Sequence, residues 1–153
     1  MAYADFDLKQ AVTRFRLLER VVPGMFAGVA PRSPSPRLTT WLDRYGPLAM
    51  GLGTERARSE YLITPILAEV EMQAEQPLQV LPGVSLDVDR SQGLTGVCDY
   101  LIARSEELFY VRAPLVAVVE AKREDLTSGL GQCVAEMVAV QIFNAREEAD
   151  VEV

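Results

Sequence analysis

The sequence predicts one domain of the α/β or α+β class, and three observations carry that reading. Up to about residue 76 the apolar residues recur with helical spacing. After Pro77 they alternate or run together in short stretches bounded by turn residues, the pattern of strands. The last long apolar run returns to helical length. With 153 residues, 49% apolar and 24% charged, the chain can build a core and is not a disordered polyelectrolyte.

The elements follow in order. Over 7–20, Leu8, Val12, Phe15 and Leu18 form the stripe of an amphipathic helix. Pro23, Gly24, Pro31, Pro34 and Pro36 punctuate a loop over 21–37. A short helix around 36–45 carries Leu38, Trp41 and Leu42, and Pro47, Gly51 and Gly53 break the chain after it. Thr54 is the N-cap of a long helix to about Gln76, with Leu62, Ile66 and Val70 on one face and a kink at Pro65. Val84–Val88 alternates as a half-buried strand, and 95–103 forms a second. After a loop with Ser105, Glu106 and Glu107, residues 114–121 form a third strand, apolar on both faces and so central. Thr127, Ser128 and Gly129 link it to a helix over 130–146, whose Cys133, Val134, Met137, Val138, Val140 and Ile142 pack on the sheet. The chain divides into a helical segment over 1–53, a core over 54–146 and an acidic tail over 147–153 that frays.

There is no histidine, which excludes imidazole-dependent nucleophile systems, HExxH zinc sites and histidine metal clusters. Chemistry must rest on carboxylates, lysine, arginine, hydroxyls, thiols or a hard cation. Cys98 and Cys133 lie in separate apolar runs and read as buried thiols of a reducing cytosol. The polar, acidic N-terminus has no signal-peptide core, and no apolar stretch reaches the roughly 20 residues of a membrane span. A cytoplasmic protein without a membrane partner is expected. The net charge of −7 is unevenly placed: residues 1–53 carry seven basic and four acidic side chains, residues 54–153 eight and eighteen. The acidic part suits a cation better than a phosphate backbone. Arg14, Arg16, Arg20, Arg32, Arg37 and Arg44 are either solvated faces or a set turned toward nucleic acid.

The third strand ends Val118-Val119-Glu120-Ala121-Lys122, and residues two apart in a strand share a face. Asp99 lies in the second strand, and one register of adjacent strands sets it beside Glu120. Two carboxylates so placed repel unless a positive charge lies between them. Hard oxygen ligands select Mg²⁺ or Mn²⁺. The chain has thirteen arginines and two lysines, Lys9 and Lys122. A lysine beside the acids points to a need for a compact, mobile ammonium.

Asp99, then Glu120-x-Lys122 after an apolar strand, then a helix bearing Gln132, resembles the PD-(D/E)xK nuclease superfamily. Arg58-Ser59-Glu60 on the preceding long helix matches that superfamily's helix acid. The run from Gly129 to Met137 is similar to the glutamine-bearing helix of restriction-type members, and residues 54–146 resemble uncharacterised members common in cyanobacteria. The proline usually preceding the acid is absent, since Cys98 stands there.

The resemblance implies a restriction endonuclease-like core, a mixed sheet of at least three strands flanked by helices. It implies a Mg²⁺-dependent endonuclease acting on DNA. Asp99, Glu120 and the backbone carbonyl of Ala121 would bind the metal, and Lys122 would orient a water or offset charge on the phosphate. Glu60 and Gln132 would be auxiliary catalytic residues, with Glu136 structural. Such proteins continue into further strands after the glutamine helix, whereas this chain ends at Val153. An open sheet edge, and a homodimer covering it, are therefore expected. The competing reading is a nuclease-fold module that binds nucleic acid or a partner without cutting; a third is a scaffold with neither property.

Overall fold

The structure, a computed structural model, describes residues 1–107, 109–123 and 125–147. Among the described residues, five α-helices and three strands follow in the order α1 (Leu8–Phe15), α2 (Pro36–Leu52), α3 (Glu55–Arg58), α4 (Thr64–Gln73), β1 (Gln79–Ser85), β2 (Val97–Ala103), β3 (Leu115–Val119) and α5 (Leu126–Arg146). A 3₁₀ turn over Tyr3–Asp5 precedes α1. The class is α+β. The sheet has the order β1-β2-β3 and is antiparallel throughout, not mixed, because each strand returns to its neighbour without a crossover helix.

α1 starts at a capping box between Asp7 and Gln10. It stops at Arg16, in the left-handed conformation (φ 54°), rather than at residue 20. Beyond Phe15 no apolar stripe remains to bury, and Leu18 is 83% exposed. α2 runs through Pro47 and Gly51 to Leu52 instead of ending near residue 45, and Gly53 (φ 59°) terminates it. Its start is fixed by Ser35, whose backbone N–H and hydroxyl also donate to the buried carboxylate of Glu69 on α4. Those bonds hold Glu69 below the usual carboxylate range.

Thr54 caps α3 by accepting from the N–H of Ala57, as expected. The kink expected at Pro65 takes the form of a π turn over Ser59–Ile63, and α4 ends at Gln73, short of Gln76. Proline at 65 has no N–H for the carbonyl of Tyr61, and the indole of Trp41 donates to that carbonyl instead at 3.0 Å.

β1 lies earlier than the expected 84–88. It runs through Pro82 and Gly83, which an edge strand tolerates because a missing N–H can face outward. Leu86–Val88 only continue the hairpin, through Leu86 N–H to the Gly96 carbonyl and Val88 N–H to that of Leu94. β2 and β3 fall within their expected ranges, but β3 also lies at an edge among the described residues. At its start Leu115 gives its N–H to the amide of Asn144 and takes a bond back on its carbonyl, each 2.8 Å.

α5 begins at Leu126, four residues before the expected start, because Asp125 caps it and Thr127-Ser128-Gly129 form its first turn. Gly129 and Gly131 are buried contact points: a Cβ on Gly131 would lie 2.2 Å from the Asp7 carbonyl carbon. This helix is long and apolar enough by composition to cross a membrane, contrary to expectation. Its Ala135, Ala139 and Val140 pack with Tyr3, Phe6, Ala11, Leu101 and Leu115 in the main core. The N-terminal turn and α1 thus share one core with the sheet. A smaller cluster of Leu67, Tyr100 and Ile102 fills the face toward α4. Of the expected acidic tail, Glu148–Val153 lie outside the described residues.

Candidate active site

The β2–β3 register pairs Tyr100 with Val119 and Leu101 with Val118, so its continuation sets Asp99 opposite Glu120. Glu120 is tied toward α5 through Lys122 and Gln132, and the charge of Asp99 is felt at both Glu120 and Glu136. On the other flank, Gly83 falls opposite Asp99, between the pairs Pro82–Tyr100 and Val84–Cys98. A Cβ on Gly83 would meet nothing within 4 Å, so the strand edge is open at that position.

Glu120 and Lys122 lie just past the end of β3, and Lys122 Nζ donates to Glu120 Oε1 at 2.5 Å. The Glu120 side chain is 5% exposed and that of Lys122 20%, so the pair is shielded from water. Gly129 makes room for the lysine: a Cβ there would stand 2.8 Å from Lys122 Cε. Lys122 Nζ also reaches Gln132 Oε1 at 3.5 Å, and Gln132 Nε2 donates to Glu136 Oε1, one turn on, at 3.0 Å. Asp99 Oδ2 accepts from the N–H of Ala121 at 2.8 Å, which ties the loop after β3 back onto β2.

Burial pushes the Glu120 carboxyl up, with the bond to Lys122 opposing and the charge of Asp99 reinforcing the rise. For Lys122, burial favours the neutral amine, but the bond to Glu120 and the charges of Glu120, Glu55 and Asp99 outweigh it and hold the ammonium above its ordinary range. Burial raises Glu136 to about 7, against the bond from Gln132. Cys98 is pushed up to about 12, chiefly by burial, so its thiol stays protonated. Both cysteines are free; Cys133 is only half-buried, unlike Cys98.

Two carboxylate oxygens here, Glu120 Oε2 and Glu136 Oε2, are buried without a hydrogen-bond partner. An orphaned buried carboxylate oxygen is costly unless a proton or a cation meets it. Glu120 Oε2 beside Asp99 therefore fits a hard cation. Among the described residues no group of three metal-ligating side chains gathers, so such an ion would draw its remaining ligands from backbone carbonyls, water or substrate.

Asp99, Glu120, Lys122 and Gln132 come together. Ala121 adjoins them through its amide, itself bound to Asp99, and is 2% exposed. Glu60 does not join the set. Its carboxylate pairs with Arg56 at 2.8 Å and lines a groove with Arg37, Trp41 and Met72. The helix acid whose charge reaches Glu120 and Lys122 is Glu55, in the first turn of α3. It stands directly after the cap Thr54, and no local pattern in the sequence set it apart from Glu60. Glu136 was legible only as the i+4 partner of Gln132. Compared with known proteins, the chain matches no family model, no curated protein and no solved structure.

Proposed function

We propose that the protein is a Mg²⁺- or Mn²⁺-dependent endonuclease that hydrolyses phosphodiester bonds of DNA, with Asp99, Glu120, Lys122 and Gln132 as its working residues. The observation that carries this reading is the buried, partnerless Oε2 of Glu120 next to Asp99, with a charged lysine on the other oxygen. Asp99 and Glu120 would hold the cation, with the Ala121 carbonyl as a further ligand. When bound, the cation supplies a water of lowered pKa and a contact that polarises a phosphate oxygen.

The chain's own residues do the rest. Lys122, kept protonated, offsets the negative charge that builds on the phosphate oxygens as water adds. Glu120 Oε1 and Gln132 Oε1 hold the ammonium in place, and Glu136 fixes the amide of Gln132. The test is cleavage of supercoiled plasmid by the purified chain with Mg²⁺ or Mn²⁺. Glu120→Gln and Lys122→Ala should each lower the rate by about a hundredfold or more, with unchanged circular dichroism. If both variants cut as well as the unaltered protein, the assignment fails.

One observation favours a module that binds without cutting: one oxygen of each carboxylate is already engaged, Glu120 by Lys122 and Asp99 by the Ala121 amide. Calorimetry with Mn²⁺ separates the two readings. Carboxylate-dependent uptake supports the enzyme; retained DNA binding without uptake supports the module.

A further inference from the structure

We propose that the loop over residues 21–31 is a membrane-surface anchor for anionic bilayers. Its apolar side chains would sit at the level of the upper acyl chains, with Arg16 and Arg20 on the headgroups. The segment from Val21 to Pro31 contains no polar or charged side chain. It is nevertheless exposed along its whole length: Val21 by 95%, Phe26 by 75%, Val29 by 67% and Met25 by 64%. Apolar side chains this concentrated and this uncovered mark a surface that meets another phase or partner.

The local backbone suits a water-poor setting. Ala27 N–H bonds to the Gly24 carbonyl at 2.8 Å and Val29 N–H to the Phe26 carbonyl at 3.0 Å, two successive turns that satisfy part of the loop internally and present Met25 and Phe26 at its tip. Gly24 (φ 65°) permits the first of these turns.

Charge selects the occupant. Residues 14–37 hold five arginines and one acid, in a chain whose net charge is −7. Arg16 and Arg20 are exposed and have no ion-pair partner among the described residues. Arg32 is paired with Glu75, which leaves the exposed Arg16 and Arg20, just before the apolar segment in the chain, as the cations that match an anionic bilayer, with phosphate outside and hydrocarbon within. The strongly acidic remainder of the chain would be repelled by the same surface, which orients the loop toward it. A nucleic-acid backbone would use the arginines but leave the valines, Met25 and Phe26 without a role. A second copy docking symmetrically on this segment would bring the same unpaired arginines together. The expectation of no membrane partner rested on spanning helices, and a loop lying in the interface is a different mode.

The test is flotation of the full chain with phosphatidylcholine vesicles, with and without phosphatidylserine. Binding to the serine-containing vesicles, weakened about tenfold or more by Phe26→Asp and by Arg16→Gln with Arg20→Gln, is the expected result. Phe26→Trp should add a blue-shifted emission on vesicle addition, distinguishable from Trp41 by difference against the unaltered chain. No flotation of the unaltered chain, or flotation indifferent to Phe26→Asp, overturns the proposal. So does a dimer in sedimentation equilibrium that Phe26→Asp dissolves without any vesicle binding. Phe26, Arg16 and Arg20 are exposed and lie outside both core clusters, so these variants should fold as the parent does.

Discussion

On the sheet face toward α5, Leu101, Leu115, Ala135 and Ala139 are sealed together with Tyr3 and Phe6 of the N-terminal turn. On the face toward α4, the buried apolar cluster among the described residues is the smaller set Leu67, Tyr100 and Ile102, and Tyr100 turns its hydroxyl to Ser59 and Thr64. The charged residues of the candidate site lean over the first face, the hydroxyl cluster over the second. The sealed side is where burial shifts carboxyls: Glu120 and Glu136 are both raised there, and Lys122 is held charged against its own desolvation. The thinner side carries polar groups that neutral hydroxyl bonds satisfy. A dry, well-packed layer is what lets a few charges act strongly on one another, because little solvent screens them.

Truncations on adjacent residues of β2 test this asymmetry. Leu101→Ala, on the sealed face, should cost about 4 kcal/mol in urea unfolding, and Ile102→Ala, on the thinner face, about 2 kcal/mol. Equal costs would break the contrast.

Glu136 offers the next largest effect. Its carboxyl is raised in the folded protein to about 7, from an ordinary value near 4.5. The folded state therefore binds the proton more tightly than the unfolded state does. This contribution is fully present below about pH 4.5, declines between there and pH 7, and is absent above. A fall of about 2–3 kcal/mol over that window is expected in the parent protein and should be largely removed by Glu136→Gln. A parent whose stability holds level across that window would show that Glu136 is not the buried acid described.

The smallest effect belongs to the thinner face. Tyr100→Phe removes the hydroxyl shared with Ser59 and Thr64 and should lower stability by about 1 kcal/mol, read as a shift in thermal midpoint. A loss as large as that for Leu101→Ala would place the π turn among the main supports of the fold.

The site was more legible than the elements around it. The sequence spacing brings Glu120, Lys122 and Asp99 into consideration together, and they do come together, although Glu120 and Lys122 meet just past the end of β3 and not within a strand. The boundaries depended on partners far away in sequence. Pro82 and Gly83 disguise β1 because only its place at an edge makes them tolerable. Thr127-Ser128-Gly129 resembles a linker until Lys122 is seen pressed against Gly129, two residues before Gly131 meets the Phe6–Asp7 backbone. Pro65 signals a disturbance, but the indole of Trp41 that meets the freed carbonyl lies 20 residues away. Glu60 and Glu55 both begin helical turns, and only the path of the chain through α3 decides which one's charge is felt at Glu120.

The amide of Asn144 deserves a mechanical reading. It grips Leu115 by both backbone groups near one end of α5, while Gly131 presses against the Asp7 backbone near the other. A helix pinned at two points thirteen residues apart, about 20 Å of axis, cannot slide by a residue or roll without breaking one of them. Gln132 and Glu136 lie between the pins, so their reach toward Lys122 is set by the frame and not by the flexibility of their own side chains. Asn144, remote from every charged residue of the site, thereby acts as its alignment screw.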